Sequence, residues 1–172
     1  HTNVKSWESA IKVGYVGGDF KRHSAAMIFG AVTLHHDHSN VLPYFYSTLP
    51  VDPVSDLVSK KYLEMAGLAV RDNGNGRWDG VEVEAGKNRW RDISTLTDEQ
   101  ADDLIRKDGI DILVDLAAHT NGGRLTLFTR KPAPVQVTAW GFAHGTGCLE
   151  IDHFLADPIA VPENERHHYA AQ

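Results

Sequence analysis

An aspartate and a histidine four residues apart, Asp19 and His23, follow a short apolar stretch near the start of the chain. A histidine titrates near neutral pH and can hold or transfer a proton, while a nearby carboxylate can orient the ring or stabilise its charge. The pair is therefore a candidate for catalysis. The alternative is structural, because Asp19 could cap the next helix and leave His23 in its first turn.

A second polar segment, residues 118–124 (AHTNGGR), follows another apolar stretch. A helix that begins near Gly122 would direct free N–H groups at an anion, and Arg124 would add positive charge. His119, Thr120 and Arg124 are therefore candidate binding residues. A polar turn with a solvated Arg124 is the alternative.

A glycine-rich loop, residues 141–147 (GFAHGTG), follows a third apolar stretch. Glycine lets the backbone come close to a ligand, so Gly141 and Ala143 are candidates for contact with a sugar or a phosphate. The glycines at positions 14, 17 and 18 do not form the G-x-G-x-x-G fingerprint of dinucleotide binding.

The elements that must position these loops alternate between strand and helix. This alternation predicts an α/β fold with a Rossmann-like, mostly parallel sheet and helices on both faces. The predicted strands are residues 11–16, 41–46, 89–93, 110–116, 135–140 and 151–156. The predicted helices are residues 24–36, a segment from Pro53 to Met65, residues 97–109 and residues 122–130.

Two helices carry specific expectations. In the first, the apolar residues Met27, Ile28, Ala31 and Val32 recur at helical spacing, which predicts a helix over residues 24–36. In the third, Thr97 and Gln100 predict a capping box, and Gly109 is placed to end the helix; its predicted buried residues are Ala101, Leu104 and Ile105.

The chain of 172 residues is long enough for one domain with a core, and 42% of its residues are apolar. We expect a lead-in over residues 1–10 and one lobe over residues 11–172. Turn residues followed by alternating valine and glutamate predict a small exposed hairpin in a surface insertion at residues 67–88.

Several function classes are disfavoured by composition. A net charge of −6 with scattered basic residues argues against nucleic-acid binding, and no apolar run is long enough to cross a membrane. The one cysteine, Cys148, excludes an internal disulfide and fits a reducing, cytoplasmic location; we expect it to pack as a small apolar residue. The ten histidines lack the spacing of a known metal-ligand set, so we expect no metal site.

Four motifs in a fixed order resemble the bacterial relatives of the O-linked N-acetylglucosamine transferases, the SPINDLY-like protein glycosyltransferases. They are residues 12–23 (KVGYVGGDFKRH), 108–116 (DGIDILVDL), 119–124 (HTNGGR) and 130–137 (RKPAPVQV), and the resemblance extends from about residue 11 to residue 172.

The resemblance implies one lobe of a two-lobed GT-B glycosyltransferase that acts without a metal or other cofactor. Such enzymes transfer N-acetylglucosamine from UDP-N-acetylglucosamine to Ser or Thr hydroxyls of a protein or peptide acceptor. The chain corresponds to the N-terminal catalytic lobe. The C-terminal nucleotide-binding lobe and the tetratricopeptide repeats would lie elsewhere in the same protein, so we expect this fragment to be inactive alone.

Residue by residue, His23 matches a family histidine that positions groups at the sugar, Asp19 matches a loop aspartate proposed to help proton movement, and Gly141 matches a glycine of the sugar pocket. The loop at residues 141–147 departs from the family pattern, since it lacks a proline and carries His144.

Three alternatives stay open at this point. The donor could be another nucleotide sugar such as GDP-fucose, which plant relatives use. The lobe could be a non-catalytic module that binds proteins, or the chain could be an unrelated flavodoxin-like domain that binds a flavin.

Overall fold

The computed structural model describes residues 9–74, 78–83, 86–142 and 144–169. The strands in these ranges are β1 (Ile11–Gly17), β2 (Val41–Ser47), β3 (Leu68–Asp72), β4 (Trp78–Glu82), β5 (Trp90–Asp92), β6 (Ile112–Asp115), β7 (Val135–Ala139) and β8 (His153–Leu155). The helices are α1 (Ser24–Thr33), α2 (Leu57–Met65), α3 (Asp98–Asp108), α4 (Leu125–Phe128) and a 3₁₀ helix, Glu163–His168.

Six strands form one sheet in the order β5-β2-β1-β6-β7-β8. Each neighbouring pair is parallel, which confirms the predicted sheet. The chain builds outward from β1 to β2 and β5 on one side, and then continues from β6 to β8 on the other. This reversal between β1 and β6 creates the crevice in which doubly wound sheets bind ligands.

Helices cover both faces of the sheet, as predicted. Successive strand residues point to opposite faces, so Tyr15 packs in the core under α1 and α2, whereas Val16 packs in the core under α3 and α4. Each face has its own cluster of buried side chains. The carboxyl ends of the strands are thus held between two separate cores.

The predicted helix signals of α3 are confirmed. The Thr97 hydroxyl accepts from the Gln100 N–H at 3.2 Å, and the Gln100 side chain accepts from the Thr97 N–H at 3.0 Å. Gly109 ends the helix in the left-handed conformation, with φ of 68°. Ala101 and Ile105 are buried, and Leu104 packs against the same core.

The first helix differs from its prediction in length and in the face that it buries. It ends at Thr33 and not at residue 36, and its buried residues are Ala26, Phe29, Gly30 and Thr33. The predicted apolar positions 27, 28, 31 and 32 are exposed. The helix carries two stripes at 3- and 4-residue spacing, and the stripe that includes Phe29 packs on the aromatic core.

Two helix starts are also corrected. The second helix begins after Asp56, whose carboxylate accepts from the Val58 N–H at 2.8 Å and caps the helix; the turn that contains Pro53 precedes it. The fourth helix begins at Leu125, not near Gly122, and has only four residues.

The hairpin is confirmed as an antiparallel pair, β3 and β4, in a sheet of its own. It attaches to the lobe through the Trp78 indole, which donates to the Val51 carbonyl at 3.3 Å. Residues 75–77 and 84–85 of the predicted insertion, and residues 1–8 of the predicted lead-in, lie outside the described ranges. Among the residues that the structure describes, no helix has the length and apolar character to cross a membrane.

One aromatic side chain holds the loop after β1 to the core. The buried ring of Phe20 has four aromatic neighbours at centroid distances of 5.2 to 5.9 Å. They are Phe29, Phe45, Tyr62 and Trp90. Phe20 therefore fixes the segment between Asp19 and His23 against α1, α2 and the sheet.

We expect Phe20→Ala to lower the free energy of unfolding by about 3–5 kcal/mol, because it removes a buried ring and leaves a cavity among aromatic neighbours. Urea denaturation followed by circular dichroism measures the change. Leu149→Ala, at a side chain that is 81% exposed, is the control and should cost less than about 0.5 kcal/mol. Equal losses in the two variants would contradict the anchoring role of Phe20.

Candidate active site

The loops after β1 and β6 meet at the reversal point of the sheet. Gly122 lies against the first of them: a Cβ added there would come within 3.1 Å of the Gly18 Cα, and its φ of +85° favours glycine. The Thr48 hydroxyl, after β2, donates to the Gly122 carbonyl at 2.7 Å. Three strand ends thus meet at Gly122, through a close backbone approach to Gly18 and a hydrogen bond from the Thr48 side chain.

The loop that carries Asp19 and His23 is fixed by α2 as well as by Phe20. The Ser59 hydroxyl donates to the Phe20 carbonyl at 2.9 Å. Asp56, which caps α2 with one carboxylate oxygen, accepts from the Arg22 N–H at 2.6 Å with the other. Because backbone groups on both sides of position 21 are held, the loop has a defined conformation.

The structure brings Asp19 and His23 together. The His23 Nδ1 lies 3.4 Å from an Asp19 carboxylate oxygen, and the two side chains are 47% and 17% exposed. His23 is itself the residue that caps α1, since its Nδ1 accepts from the Ala25 N–H at 3.3 Å. The alternative in which Asp19 caps this helix is therefore wrong.

The contacts of the His23 ring differ between its neutral and its protonated form. In the neutral ring, Nδ1 accepts from Ala25, so Nε2 carries the proton. In the protonated ring, Nδ1 also carries a proton and can pair with Asp19. Nε2 has no hydrogen-bond partner among the described residues, and it is therefore the ring atom available to a ligand.

The loop after β6 is organised by a buried carboxylate. Asp115 accepts from the backbone N–H groups of Ala117 and Ala118, at 3.2 and 2.9 Å, and from the Thr138 hydroxyl at 2.7 Å. The pKa of Asp115 is raised, because the effect of burial outweighs that of these hydrogen bonds, which lower it. The carboxylate joins the ends of β6 and β7 and supports Ala118 at a φ of 45°, where residues other than glycine are uncommon.

The three candidate residues on this loop have structural partners. His119 contacts the next loop, with its Nε2 2.9 Å from the Thr146 carbonyl oxygen. The Thr120 hydroxyl donates to the Ala117 carbonyl at 2.6 Å, within its own turn. Both residues are nevertheless exposed at the edge of the crevice, and their binding roles stay predictions.

Arg124 points away from the role expected of it. Its guanidinium forms an ion pair with Asp98, at the start of α3, and donates to the Ile93 and Leu96 carbonyls. The side chain is 16% exposed. The guanidinium thus ties α4 to α3, and the four-residue α4 offers no N-terminal anion site, so the anion-binding role of Arg124 has no support in this geometry.

Gly141 is a position at which no side chain fits. A Cβ there would lie 1.7 Å from the Leu116 carbonyl oxygen, so the segment after β7 passes directly against the segment after β6. Trp140, immediately before it, has a φ of 61°. Ala143 lies outside the described residues. Beyond the glycine, the Phe142 ring makes edge contacts with His119 and His144, at centroid distances of 5.5 and 5.4 Å.

Sequence reasoning missed the residues that hold these loops, namely Asp56, Ser59 and Asp115. A signal existed for Asp115, because it is the only charged residue in the apolar stretch 112–118. A buried carboxylate at a strand end needs donors, and backbone N–H groups of the following turn are the nearest ones. No comparable signal connects Asp56 with the loop, since the two are 34 residues apart.

The described histidines and cysteine do not form a metal site. No three His, Cys, Asp or Glu side chains in the described part of the chain are arranged to hold a metal ion. The Nε2 atom of His36 is hydrogen-bonded to the Tyr15 hydroxyl at 2.6 Å, and burial lowers the pKa of His36. Cys148 is buried in the core, as predicted, and burial raises the pKa of its thiol.

Comparison with protein families now identifies the chain. The model of glycosyl transferase family 41 matches residues 1–172. The chain belongs to glycosyl transferase family 41. Membership in this family excludes the flavodoxin-like alternative and confirms the resemblance found in the sequence.

Alignments with individual relatives extend over nearly the whole chain. It is 30% identical to a probable UDP-N-acetylglucosamine–peptide N-acetylglucosaminyltransferase SPINDLY of Solanum lycopersicum, over 95% of this chain and 16% of the relative. The protein of the same name from Oryza sativa subsp. japonica is 31% identical over 93% of this chain and 15% of its own length. The chain therefore spans about a sixth of these relatives.

A solved structure has the same fold. A mutant of the O-GlcNAc transferase of Thermobaculum terrenum matches 97% of this chain with a TM-score of 0.78 and 30% sequence identity. The match covers 28% of that protein. This chain thus corresponds to little more than a quarter of that protein.

We expect Asp115→Ala to destabilise the lobe by about 3 kcal/mol or more, because it leaves buried N–H and hydroxyl donors without an acceptor. Asp115→Asn keeps one acceptor oxygen and should cost clearly less. Asp103→Ala, at an exposed position of α3, is the matched control. Urea denaturation gives the ranking, and an alanine variant as stable as the asparagine variant would contradict the role of the carboxylate.

Proposed function

We propose that the full-length protein is an inverting glycosyltransferase that moves N-acetylglucosamine from UDP-N-acetylglucosamine to Ser or Thr hydroxyls of proteins. The observation that carries this proposal is the Asp19–His23 pair, held at the reversal point of the sheet in a family 41 chain. The names of the plant relatives and of the bacterial structure support the donor.

The reaction joins an acceptor oxygen to the anomeric carbon of the sugar and breaks the bond from that carbon to the diphosphate. The hydroxyl proton passes to water or to the departing diphosphate, and the diphosphate leaves with the bonding electron pair. Positioning the two reactants and stabilising the developing charges are the main ways in which a protein accelerates such a step.

His23 and Asp19 fit the positioning part of this reaction. In the neutral ring, the Nε2–H of His23 is free to donate to an oxygen of the donor sugar or of the acceptor hydroxyl. Asp19 lies on the Nδ1 side and would stabilise the ring if it became protonated. The charge of the leaving diphosphate would be met by groups outside these 172 residues.

The remaining parts of the proposal concern the rest of the protein. We infer that the full-length protein supplies a second, nucleotide-binding lobe, because these 172 residues match only 28% of the solved bacterial structure. A preceding set of tetratricopeptide repeats, a cytoplasmic location and metal-independent catalysis belong to the same proposal. Gly141, His119 and Thr120 would border the sugar from this lobe.

We expect His23→Ala in the full-length protein to lower the rate of sugar transfer by about 10²-fold or more, because the imidazole is removed from the reacting groups. His23→Asn separates chemistry from folding, since asparagine also caps helices well. Both variants should lose activity, whereas His38→Ala, at an exposed histidine, should not.

The assay follows transfer from UDP-N-acetylglucosamine, and in parallel from GDP-fucose, to a Ser/Thr peptide by mass spectrometry. Transfer from GDP-fucose alone would replace the proposed donor. Wild-type rates in His23→Asn would contradict a catalytic role for His23. No transfer by the wild-type protein from either donor would favour the protein-binding module.

We expect the 172-residue chain by itself to show no transfer and at best weak affinity for the donor, because one wall of the cleft is missing. Calorimetric titration with UDP-N-acetylglucosamine measures this affinity. A Kd at or below about 1 μM, which corresponds to roughly 8 kcal/mol of binding free energy, would contradict the division of the site between two lobes.

A further inference from the structure

A groove of about 420 Å³ runs between α1 and α2 and has His23 in its lining. Its walls carry the side chains of Met27 and Leu57, which are 73% and 77% exposed. Its floor is formed by Ala26 and Gly30, both buried. Clustered apolar side chains at the surface are typical of interaction sites.

The charged residues that line the groove are basic. They are Arg22 and Lys61, and two histidines, His23 and His35, accompany them. Neither the Arg22 guanidinium nor the Lys61 ammonium makes an ion pair or side-chain hydrogen bond with another described residue. The nearby carboxylate of Asp56 accepts from backbone N–H groups and forms no ion pair with either of these two side chains.

This cluster of unpaired positive charge stands out on a chain whose net charge is −6. Charge complementarity therefore favours an occupant that is both apolar and acidic. The groove is also continuous with the candidate active site, because His23 belongs to both. A polypeptide that lies between α1 and α2 passes the imidazole directly.

We propose that this groove binds an apolar and acidic segment of the acceptor polypeptide, next to the hydroxyl that receives the sugar. The inference rests on the proposed function and adds a substrate class to it. Exposed Met27 and Leu57 would contact apolar side chains of the acceptor, and Arg22 and Lys61 would pair with its carboxylates. Met27 and Ala31, two residues of the exposed apolar face of α1, line the groove and then have a role in substrate selection.

The test compares two acceptor peptides in the full-length protein. Both carry the same serine and a nearby leucine; one has three glutamates beside them and the other has three lysines. The measured quantity is the ratio of kcat/KM for the two peptides, which is insensitive to partial loss of active enzyme. We expect the wild type to prefer the acidic peptide by about tenfold or more.

Two substitutions address the two parts of the groove. Lys61→Glu should lower the ratio by about tenfold, because it replaces attraction with repulsion. Met27→Asp should lower kcat/KM for the acidic peptide, and Met27→Leu should retain it. Lys107→Glu makes the same charge change at an exposed position of α3, on the opposite face of the sheet, and should leave the ratio unchanged.

A wild-type ratio near one, or an equal fall in the Lys107→Glu variant, would overturn the proposal. It would also be overturned if another part of the same protein covers the groove. In that case a cysteine placed by Met27→Cys would stay unreactive toward a maleimide in the native full-length protein and react only after unfolding.

Failure of the groove proposal can be distinguished from failure of the proposed function. Loss of transfer in His23→Asn together with no peptide preference would reject the groove alone. Retained transfer in His23→Asn would reject the catalytic assignment, and the peptide ratio would still report on the groove. If neither peptide is glycosylated, fluorescence anisotropy of the labelled peptides measures the ratio of their dissociation constants, which tests the same preference.

Discussion

The packing of Phe20 into the aromatic core is the interaction on which the candidate site depends. Its ring is in the face of the sheet that α1 and α2 cover, while its neighbours in sequence form the rim of the crevice. Burial of one large side chain thus converts a loop, which would otherwise be mobile, into a fixed support for Asp19 and His23. The Ser59 hydroxyl, which donates to the Phe20 carbonyl, holds the backbone of the same residue.

The edge of the sheet at the site is built mainly of backbone. Gly141 lies against the Leu116 carbonyl, and Gly122 lies against Gly18, so three loops approach one another more closely than side chains would permit. Ala118 and Trp140 adopt positive φ values at the same edge. Such conformations cost free energy and persist where surrounding contacts enforce them. Here Asp115 supplies those contacts for Ala118 through its hydrogen bonds.

The sequence was sufficient to predict the alternation of strands and helices, the parallel sheet and the loop that carries Asp19 and His23. Those features follow from local patterns and from the rule that ligands lie at the carboxyl ends of strands. The buried face of α1 could not be predicted, because the helix has two apolar stripes and only the tertiary partners decide between them.

Long-range polar pairs were equally hidden from the sequence. Arg124 looked free to bind an anion, yet its partner Asp98 is 26 residues away and meets it only after α3 and α4 pack together. The hydrogen bond from the Arg22 N–H to Asp56 is of the same kind. Local motifs therefore located the loops of the site, whereas the residues that hold them in place required the folded chain.

Asp56 caps α2 and holds the backbone of Arg22 with the same carboxylate. Fraying of the first turn of this helix would consequently release one of the contacts that hold the segment before His23. Any contact that tightens the amino end of α2 would therefore also restrain the backbone that leads to His23.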